Sequence, residues 1–353
     1  MSAPARIVER ITRALEVPIE VNGHKVLSRV YCGLALFPMD GEGAATLTRN
    51  ATLARRFAER RSPTSSGSAY FSSEIDAAAA KNTKIAARLH DALINERLSV
   101  VYQPKIHADT RRVIGVEALA RWTCEELGEI RPDVFVELAE HLGLIHLLTD
   151  LVVSQVCRDL NDGKLGDVRV SINVSPLELS DATTADRLLN QLDRYGIPAS
   201  RIGVELTEST FLDDRDLGRD ILETLRDAGI LVSLDDFGTG YSSLNMLAQI
   251  PVDIIKIDRS FISDVQNTPT KHSIVQAIFV LARTLDMRVV AEGVSTDEEY
   301  ECLKLLGCTE MQGFLFAEPL PTDQLGQYLR QTGTQRLLPD TSPELASGDA
   351  QSA

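Results

Sequence analysis

The stretch ILVSLDDFGTGY, residues 230–241, carries the clearest information about the fold. It opens with a nearly continuous apolar run, which is typical of a strand buried on both faces in a parallel sheet. Two carboxylates, Asp235 and Asp236, then stand side by side, and Gly238 and Gly240 follow them. We therefore predict a buried strand that ends at the two carboxylates and passes into a loop.

The paired carboxylates have two interpretations. Mid-strand neighbours point to opposite faces, so only at a strand end could Asp235 and Asp236 both turn toward one site. There they would repel each other unless a cation, most simply a divalent metal ion, lay between them. The alternative is a polar strand exit in which aspartate acts only as a turn former. This stretch alone leaves both interpretations open.

Short apolar runs alternate with helical patterns through the second part of the chain. The runs lie at residues 168–174, 202–206, 230–234, 252–257 and 287–291. Such alternation predicts an α/β fold with a parallel sheet, either a barrel or a doubly wound open sheet. Two β-like runs, residues 99–106 and 113–119, precede this region and flank the polar stretch HADTRR, which indicates a hairpin.

Polar side chains at the ends of these runs favour the barrel. An open sheet concentrates its site at one switch point, whereas a barrel collects residues from many strand ends at one mouth. A single carboxylate there is more often a helix cap or a solvated turn residue, but seven successive strand ends carry a polar group. They are Glu117, Asn173, Glu205, Asp235 with Asp236, Lys256 with Asp258, Glu292, and Gln312.

The residue types at these ends indicate hard metal ions. The candidate ligands offer oxygen and none offers sulfur or imidazole, which predicts Mg²⁺ or Mn²⁺ rather than zinc. Two such ions suit attack of hydroxide on a phosphodiester. Lys256 could add positive charge at the phosphate or the attacking water, or could form a salt bridge to Asp253 or Asp258. Glu292 could orient or deprotonate water, or could be a plain turn carboxylate.

Composition narrows the class of protein. A chain of 353 residues can bury one large domain and a smaller unit. Its net charge of −15 argues against broad electrostatic binding to a nucleic-acid polymer. No apolar run approaches the ~20 residues that a membrane span requires, and the N-terminus lacks the apolar core of a signal peptide. We therefore expect a cytoplasmic protein without a membrane segment.

Several short motifs together resemble the signature of EAL domains, the bacterial cyclic-di-GMP phosphodiesterases. They are Gln103-Pro104, Glu117-Ala118-Leu119 with Arg121, Asn173-Val174-Ser175, Glu205-Leu206-Thr207-Glu208, DDFGTGYSS from Asp235, Lys256-Ile257-Asp258, Glu292-Gly293-Val294, and Gln312-Gly313-Phe314. The resemblance implies a TIM-like (β/α)8 barrel with an antiparallel first strand pair over residues 98–330. It also implies hydrolysis of cyclic-di-GMP to linear pGpG with Mg²⁺ or Mn²⁺; the alternative is a catalytically silent receptor for the dinucleotide.

The resemblance also implies roles for single residues. Lys256 and Glu292 would position and activate water, while Glu208 would brace the loop over residues 237–243 and couple dimer contacts through the barrel to metal binding. The other roles divide into a first metal site with Glu117, Asn173, Glu205 and Asp235, a second with Asp235 and Asp236, and substrate contacts from Gln103, Leu119, Arg121 and Gln312.

The N-terminal block has a resemblance of its own. Residues 29–61, RVYCGLALFPMDGEGAATLTRNATLARRFAERR, are similar to the C-terminal portion of GGDEF domains, the diguanylate cyclases. The catalytic GGDEF turn is absent from this sequence, so we expect no cyclase activity from it. We predict a truncated α+β GGDEF-like fragment over residues 1–72, a linking helix over 73–97 and a disordered tail over 331–353.

Overall fold

The structure, a computed structural model, describes residues 3–17, 19–21, 24–26, 29–61, 65–207, 215–239, 247 and 249–334. The chain divides into two compact units, Met1–His90 and Asp91–Ala353. Among the described residues there is no helix with the length and apolar character that crossing a lipid bilayer requires.

The first unit is a small α+β assembly. Its strands β1 (Ile19–Val21) and β2 (His24–Val26) pair antiparallel, whereas β3 (Tyr31–Leu34) and β4 (Gly67–Tyr70) pair parallel. Helix α2 (Ala44–Arg61) packs against β3 and β4. The helix lies so close to β3 that a Cβ atom on Gly33 would lie only 1.9 Å from the carbonyl oxygen of Ala51. The elements are α1 Ala3–Leu15, β1 Ile19–Val21, β2 His24–Val26, β3 Tyr31–Leu34, α2 Ala44–Arg61, β4 Gly67–Tyr70 and α3 Ser73–Ile94, the last of which continues into the second unit.

The second unit contains a closed barrel of eight strands. Strand β5 (Leu98–His107) pairs antiparallel with both β6 (Val113–Cys124) and β13 (Glu310–Gln312), and this closes the ring; the remaining neighbours pair parallel. The structure thus confirms the α/β barrel and excludes the open sheet. The eight strands are β5 Leu98–His107, β6 Val113–Cys124, β8 Arg169–Asn173, β9 Ile202–Thr207, β10 Leu231–Phe237, β11 Ile254–Ile257, β12 Arg288–Ala291 and β13 Glu310–Gln312.

Helices cover the outside of the barrel, which explains why its strands are apolar on both faces. Every residue of β11, for example, is buried. Two further strands, β7 Gly128–Ile130 and β14 Leu320–Pro321, pair with β6 and β5 respectively. The helices are α4 Pro132–His141, α5 Ile145–Asn161, α6 Thr184–Tyr195, α7 Arg215–Asp227, α8 Arg259–Ile262, α9 Pro269–Thr284, α10 Asp297–Leu305 and α11 Thr322–Thr332.

Strand β10 differs from the sequence prediction. It does not end at the two carboxylates but continues through them to Phe237, and its register against β11 shifts between Leu234 and Phe237. Asp236 takes up this irregularity with a φ of 54°, a left-handed conformation that aspartate tolerates better than most residues. As a result Asp235 is buried, whereas Asp236 is exposed.

The C-terminal part of the described chain extends to Thr334. Helix α11 ends at Thr332, and Thr334 forms a parallel bridge with Val113 at the start of β6. The rest of the predicted disordered tail, residues 335–353, lies outside the described residues.

Candidate active site

Lys256 lies at the centre of a group of carboxylates. Its Nζ lies 2.8 Å from Oδ2 of Asp235 and 2.6 Å from Oε1 of Glu292. It also contacts Glu205 and lies 3.6 Å from Oε2 of Glu117. Burial disfavours the charged ammonium, but the surrounding carboxylates raise the pKa of Lys256 well above its ordinary value. The lysine is therefore a buried cation that four acidic side chains share.

Barrel geometry brings these four carboxylates together. Glu117, Glu205 and Asp235 come from three different strands that run in the same direction, so their carboxyl ends open onto one mouth of the barrel. Glu292 follows β12 directly, and its N–H donates to the carbonyl oxygen of Ile257 on β11, 3.1 Å away. Chain topology rather than sequence proximity thus assembles the group.

Side-chain amides fix the orientation of Glu117. Its Oε1 accepts a hydrogen bond from Nδ2 of Asn173 at 2.9 Å, and its Oε2 accepts one from Nε2 of Gln312 at 2.8 Å. The Gln312 amide also donates to Oε1 of Gln103 at 3.0 Å. Gln103 in turn donates to the carbonyl oxygen of Ala317 at 3.3 Å. Two predicted substrate contacts, Gln103 and Gln312, therefore lie beside a predicted metal ligand.

The donor atoms fit a hard divalent cation. One carboxylate oxygen from each of Glu117, Glu205 and Asp235 lies within 4.8 Å of the others, a spacing that allows one ion to contact all three. The set contains only oxygen donors, as Mg²⁺ and Mn²⁺ prefer. Oε1 of Gln312 adds a buried acceptor that has no hydrogen-bond partner among the described residues.

Glu205 and Glu292 experience opposite electrostatic environments. Burial would raise the pKa of Glu205, but Lys105 and Lys256 reverse this and lower it to about 2. Burial also raises the pKa of Glu292, and although Lys256 opposes the shift, Asp235 and the other carboxylates bring it to about 8. Glu205 is thus held as an anion, whereas Glu292 retains a proton easily near neutral pH in the absence of a bound cation.

Asp236 lies apart from the other predicted ligands. Its oxygens do not belong to the group spanned by Glu117, Glu205 and Asp235. Its N–H donates to Oδ1 of Asp235 at 2.8 Å. Partial burial of its carboxyl group, together with the charges of Asp235 and Asp258, raises the pKa of Asp236 to about 6.

The remaining predicted residues lie along β6 or outside the described chain. Leu119 and Arg121 follow Glu117 at two-residue spacing, which places all three on one face of the strand. Both are partly exposed, and Nη1 of Arg121 donates to the carbonyl oxygen of Ala120 at 2.9 Å. Glu208 and most of the loop it was predicted to brace lie outside the described residues.

The alternative partners proposed for Lys256 have other roles. Asp253 accepts hydrogen bonds from Arg226 at 3.0 Å and from the N–H of Val232 at 2.8 Å. Asp258 caps helix α8 by accepting the N–H of Ser260 at 2.9 Å. Lys256 is instead directed at the carboxylates of the barrel mouth.

Sequence reasoning missed Lys105. It lies on β5 and its side chain is buried, with Nζ in contact with Glu205 and 2.8 Å from Oγ of Ser171. The available signal was its spacing: Lys105 follows Gln103 by two residues, so both side chains lie on the inner face of the strand.

The closed barrel and the oxygen-rich acidic cluster define an α/β-barrel protein with a candidate metal centre at the mouth. The family model of the EAL domain matches residues 86–319. The chain therefore belongs to the EAL-domain family.

Several curated relatives carry names from cyclic-di-GMP metabolism. The chain is 37% identical over 324 residues to the bifunctional diguanylate cyclase/cyclic di-GMP phosphodiesterase MucR of Pseudomonas aeruginosa, covering 91% of this chain and 47% of the relative. It is 35% identical over 322 residues to the cyclic di-GMP phosphodiesterase PdeR of Escherichia coli, covering 91% and 48%. The chain thus spans about half the length of these relatives.

Solved structures with the same fold include complexes with cyclic-di-GMP. The PaMucR phosphodiesterase in complex with c-di-GMP superposes with a TM-score of 0.65 at 41% identity, covering 69% of this chain and 99% of that chain. The EAL enzyme Bd1971 in its cAMP- and cyclic-di-GMP-bound form superposes with a TM-score of 0.67 at 26% identity, covering 83% and 77%.

Proposed function

We propose that this chain hydrolyses cyclic-di-GMP to linear pGpG with Mg²⁺ or Mn²⁺. The observation that carries the proposal is the cluster of Glu117, Glu205 and Asp235, whose oxygens lie within 4.8 Å of one another at the mouth of the barrel. The similarity to a solved phosphodiesterase complex, which this chain covers to 99%, supports cyclic-di-GMP as the substrate.

The residues at the mouth would hold the cation in two groups. Glu117, Asn173, Glu205 and Asp235 would form the first site, and Asp235 with Asp236 the second. A bound divalent cation would stabilise negative charge on the phosphate and favour ionisation of a coordinated water. Asp236 is exposed in this structure, so its side chain is accessible to an ion at the mouth.

The chain's own residues would position water and substrate. Glu292, whose Oε1 lies 2.6 Å from Nζ of Lys256 at the barrel mouth, would accept a proton from the attacking water. Lys256 holds Glu292 in place through the 2.6 Å ion pair and offers positive charge to the site. Leu119, Arg121, Gln103 and Gln312 would bind the dinucleotide around this centre.

Product chromatography tests this proposal. The chain is incubated with cyclic-di-GMP and Mg²⁺, and we expect linear pGpG to accumulate over many turnovers. Dinucleotide that is bound but recovered unchanged would contradict hydrolysis and favour the receptor.

We also propose that residues 1–72 are a GGDEF-like fragment without cyclase activity and that the barrel forms a homodimer in which Glu208 links the contacts to the metal site. The α+β arrangement of the first unit supports the former. Incubation with GTP and Mg²⁺ should yield no cyclic-di-GMP, and sedimentation should show a dimer. A cyclic product or a strictly monomeric chain would contradict the respective part.

A further inference from the structure

Lys105 lies one layer deeper in the barrel than the candidate active site. Gln103 on β5 pairs with Glu117 on β6, and Lys105 pairs with Gly115, two residues further from the mouth. Only 6% of Lys105 is exposed. Its ammonium therefore approaches Glu205 from below, on the side away from the barrel mouth.

Small residues leave space for this lysine inside the barrel. Gly115 is its neighbour across the strand pair, and Gly203 precedes Glu205 by two residues on β9. Both glycines line a cavity of about 30 Å³ together with Lys105 and Ser171. The lysine stem crosses the barrel through this region and reaches a carboxylate on a strand that does not pair with its own.

The two lysines bind different oxygens of Glu205. Lys105 contacts Oε1, and Lys256 contacts Oε2. Lys256 is shared with three other carboxylates, so it has alternative partners when a cation competes for Glu205. Lys105 has its described ion pair with Glu205 alone and is anchored at Oγ of Ser171, 2.8 Å away.

We propose that Lys105 is a positioning residue that occupies Oε1 of Glu205 and leaves only Oε2 for a cation at the mouth. This inference rests on the proposed metal-dependent function. Mg²⁺ favours octahedral coordination with single oxygens, whereas the larger Ca²⁺ readily accepts both oxygens of one carboxylate. By restricting Glu205 to one oxygen, Lys105 makes the site selective for Mg²⁺ over Ca²⁺.

The ratio of two dissociation constants tests this role. Calorimetry measures the Kd values of Mg²⁺ and Ca²⁺ for the full chain and for Lys105→Met. Both ions carry the same charge, so loss of the lysine charge affects both similarly and cancels in the ratio. We expect the ratio of the Mg²⁺ Kd to the Ca²⁺ Kd to rise about tenfold or more, in line with other residues that orient metal ligands. An unchanged ratio would contradict the proposal.

Two serine variants control for folding and for general perturbation. Ser171→Ala removes the anchor of Lys105 but keeps its charge, and we expect the ratio to rise by about threefold, as for loss of one hydrogen bond. Ser233→Ala deletes the same atom from the same cavity, but Ser233 is not among the described hydrogen-bond partners of Lys105, so the ratio should stay as in the wild type.

If Lys105→Met does not fold, the comparison of Ser171→Ala with Ser233→Ala tests the proposal instead. Equal ratios of the Mg²⁺ Kd to the Ca²⁺ Kd in these two variants would contradict it. A wild-type chain that binds neither ion would instead contradict the metal-dependent function itself.

Discussion

Glu292 and Glu299 lie seven residues apart and show two opposite uses of a carboxylate. Glu299 completes the capping box at the start of α10: its Oε2 accepts from the N–H of Ser295 at 2.8 Å and of Thr296 at 3.2 Å, and its Oε1 accepts from the N–H of Asp264 at 3.0 Å. Although burial opposes it, these donors lower the pKa of Glu299. The negative charge of Glu299 therefore stabilises the folded state through these hydrogen bonds.

Glu292 lies in the opposite situation. It shares a single ammonium, that of Lys256, with Glu117, Glu205 and Asp235, and its pKa is raised to about 8. With Lys105 included, four carboxylates face two lysines. Within this group of described residues, the negative charge of the carboxylates thus exceeds the positive charge of the two lysines, which a bound divalent cation would correct. A carboxylate that caps a helix stabilises the fold, whereas a group of carboxylates with too few cationic partners indicates a metal-binding or catalytic site.

Removal of the divalent cation should have the largest effect. Excess chelator should abolish turnover of cyclic-di-GMP, because no cation held by the carboxylates at the mouth would then stabilise negative charge on the phosphate. Turnover should return with Mg²⁺ or Mn²⁺ but stay low with Ca²⁺, whose looser coordination would misplace the water. Full turnover in excess chelator would contradict a catalytic role for a cation bound by the carboxylates of the barrel mouth.

Glu292→Gln should lower kcat by about 10²–10⁴-fold, because the amide keeps the size of the side chain but cannot accept a proton. Affinity for cyclic-di-GMP should change by less than about tenfold, since other residues provide most of the contacts. Turnover in Mg²⁺ and calorimetry in Ca²⁺ measure the two quantities separately. A variant with wild-type kcat would exclude Glu292 from proton transfer.

Glu299→Gln is the matched substitution at the helix cap. It replaces one acceptor oxygen with an NH₂ group that faces backbone donors, so we expect the free energy of unfolding to fall by about 1–2 kcal/mol. Turnover should stay within about threefold of the wild type because Glu299 lies outside the cluster at the mouth. Thermal or urea unfolding together with the turnover assay measures both. Loss of kcat without loss of stability would reverse the roles assigned to the two glutamates.

The stability that Glu299 contributes should also depend on pH. Since folding lowers its pKa, the contribution is complete above the ordinary glutamate value of 4.5 and is lost as the pH falls below it. The difference in unfolding free energy between wild type and Glu299→Gln should therefore shrink from pH 6 to more acidic conditions. Urea unfolding across this range provides the measurement, and a constant difference would contradict the assigned cause.

Much of the fold could be predicted because barrel strands leave a strong pattern. An apolar run that ends in a polar residue, as at Glu205 and Glu292, indicates both a buried strand and the mouth at which it ends. The bulge at Asp236 could not be predicted, because neighbouring carboxylates give the same signal whether a strand stops or continues with a shifted register. The structure shows continuation to Phe237.

The contacts of the lysines required three-dimensional information. The sequence leaves Lys256 with nearby aspartates as equally plausible partners, and only closure of the barrel brings Glu205 and Glu292 to it. Lys105 was not identified from the sequence because β5 is antiparallel to the other barrel strands. Its inward-facing residues therefore do not stand at the end of an apolar run, as those of the parallel strands do. The two-residue spacing from Gln103 places Lys105 on the inner face of β5, but it does not show which acidic partner the lysine meets across the barrel.

We expect the surplus of carboxylates at the barrel mouth to bind a divalent cation. Calorimetric titration of the metal-free chain with Mn²⁺ measures this binding, with Glu205→Gln as the variant that removes the charge of one ligand and Glu299→Gln as the control that removes an equivalent charge elsewhere. We expect saturable binding to the wild type and to Glu299→Gln, and binding at least about tenfold weaker in Glu205→Gln. Equal affinity in all three proteins would contradict it.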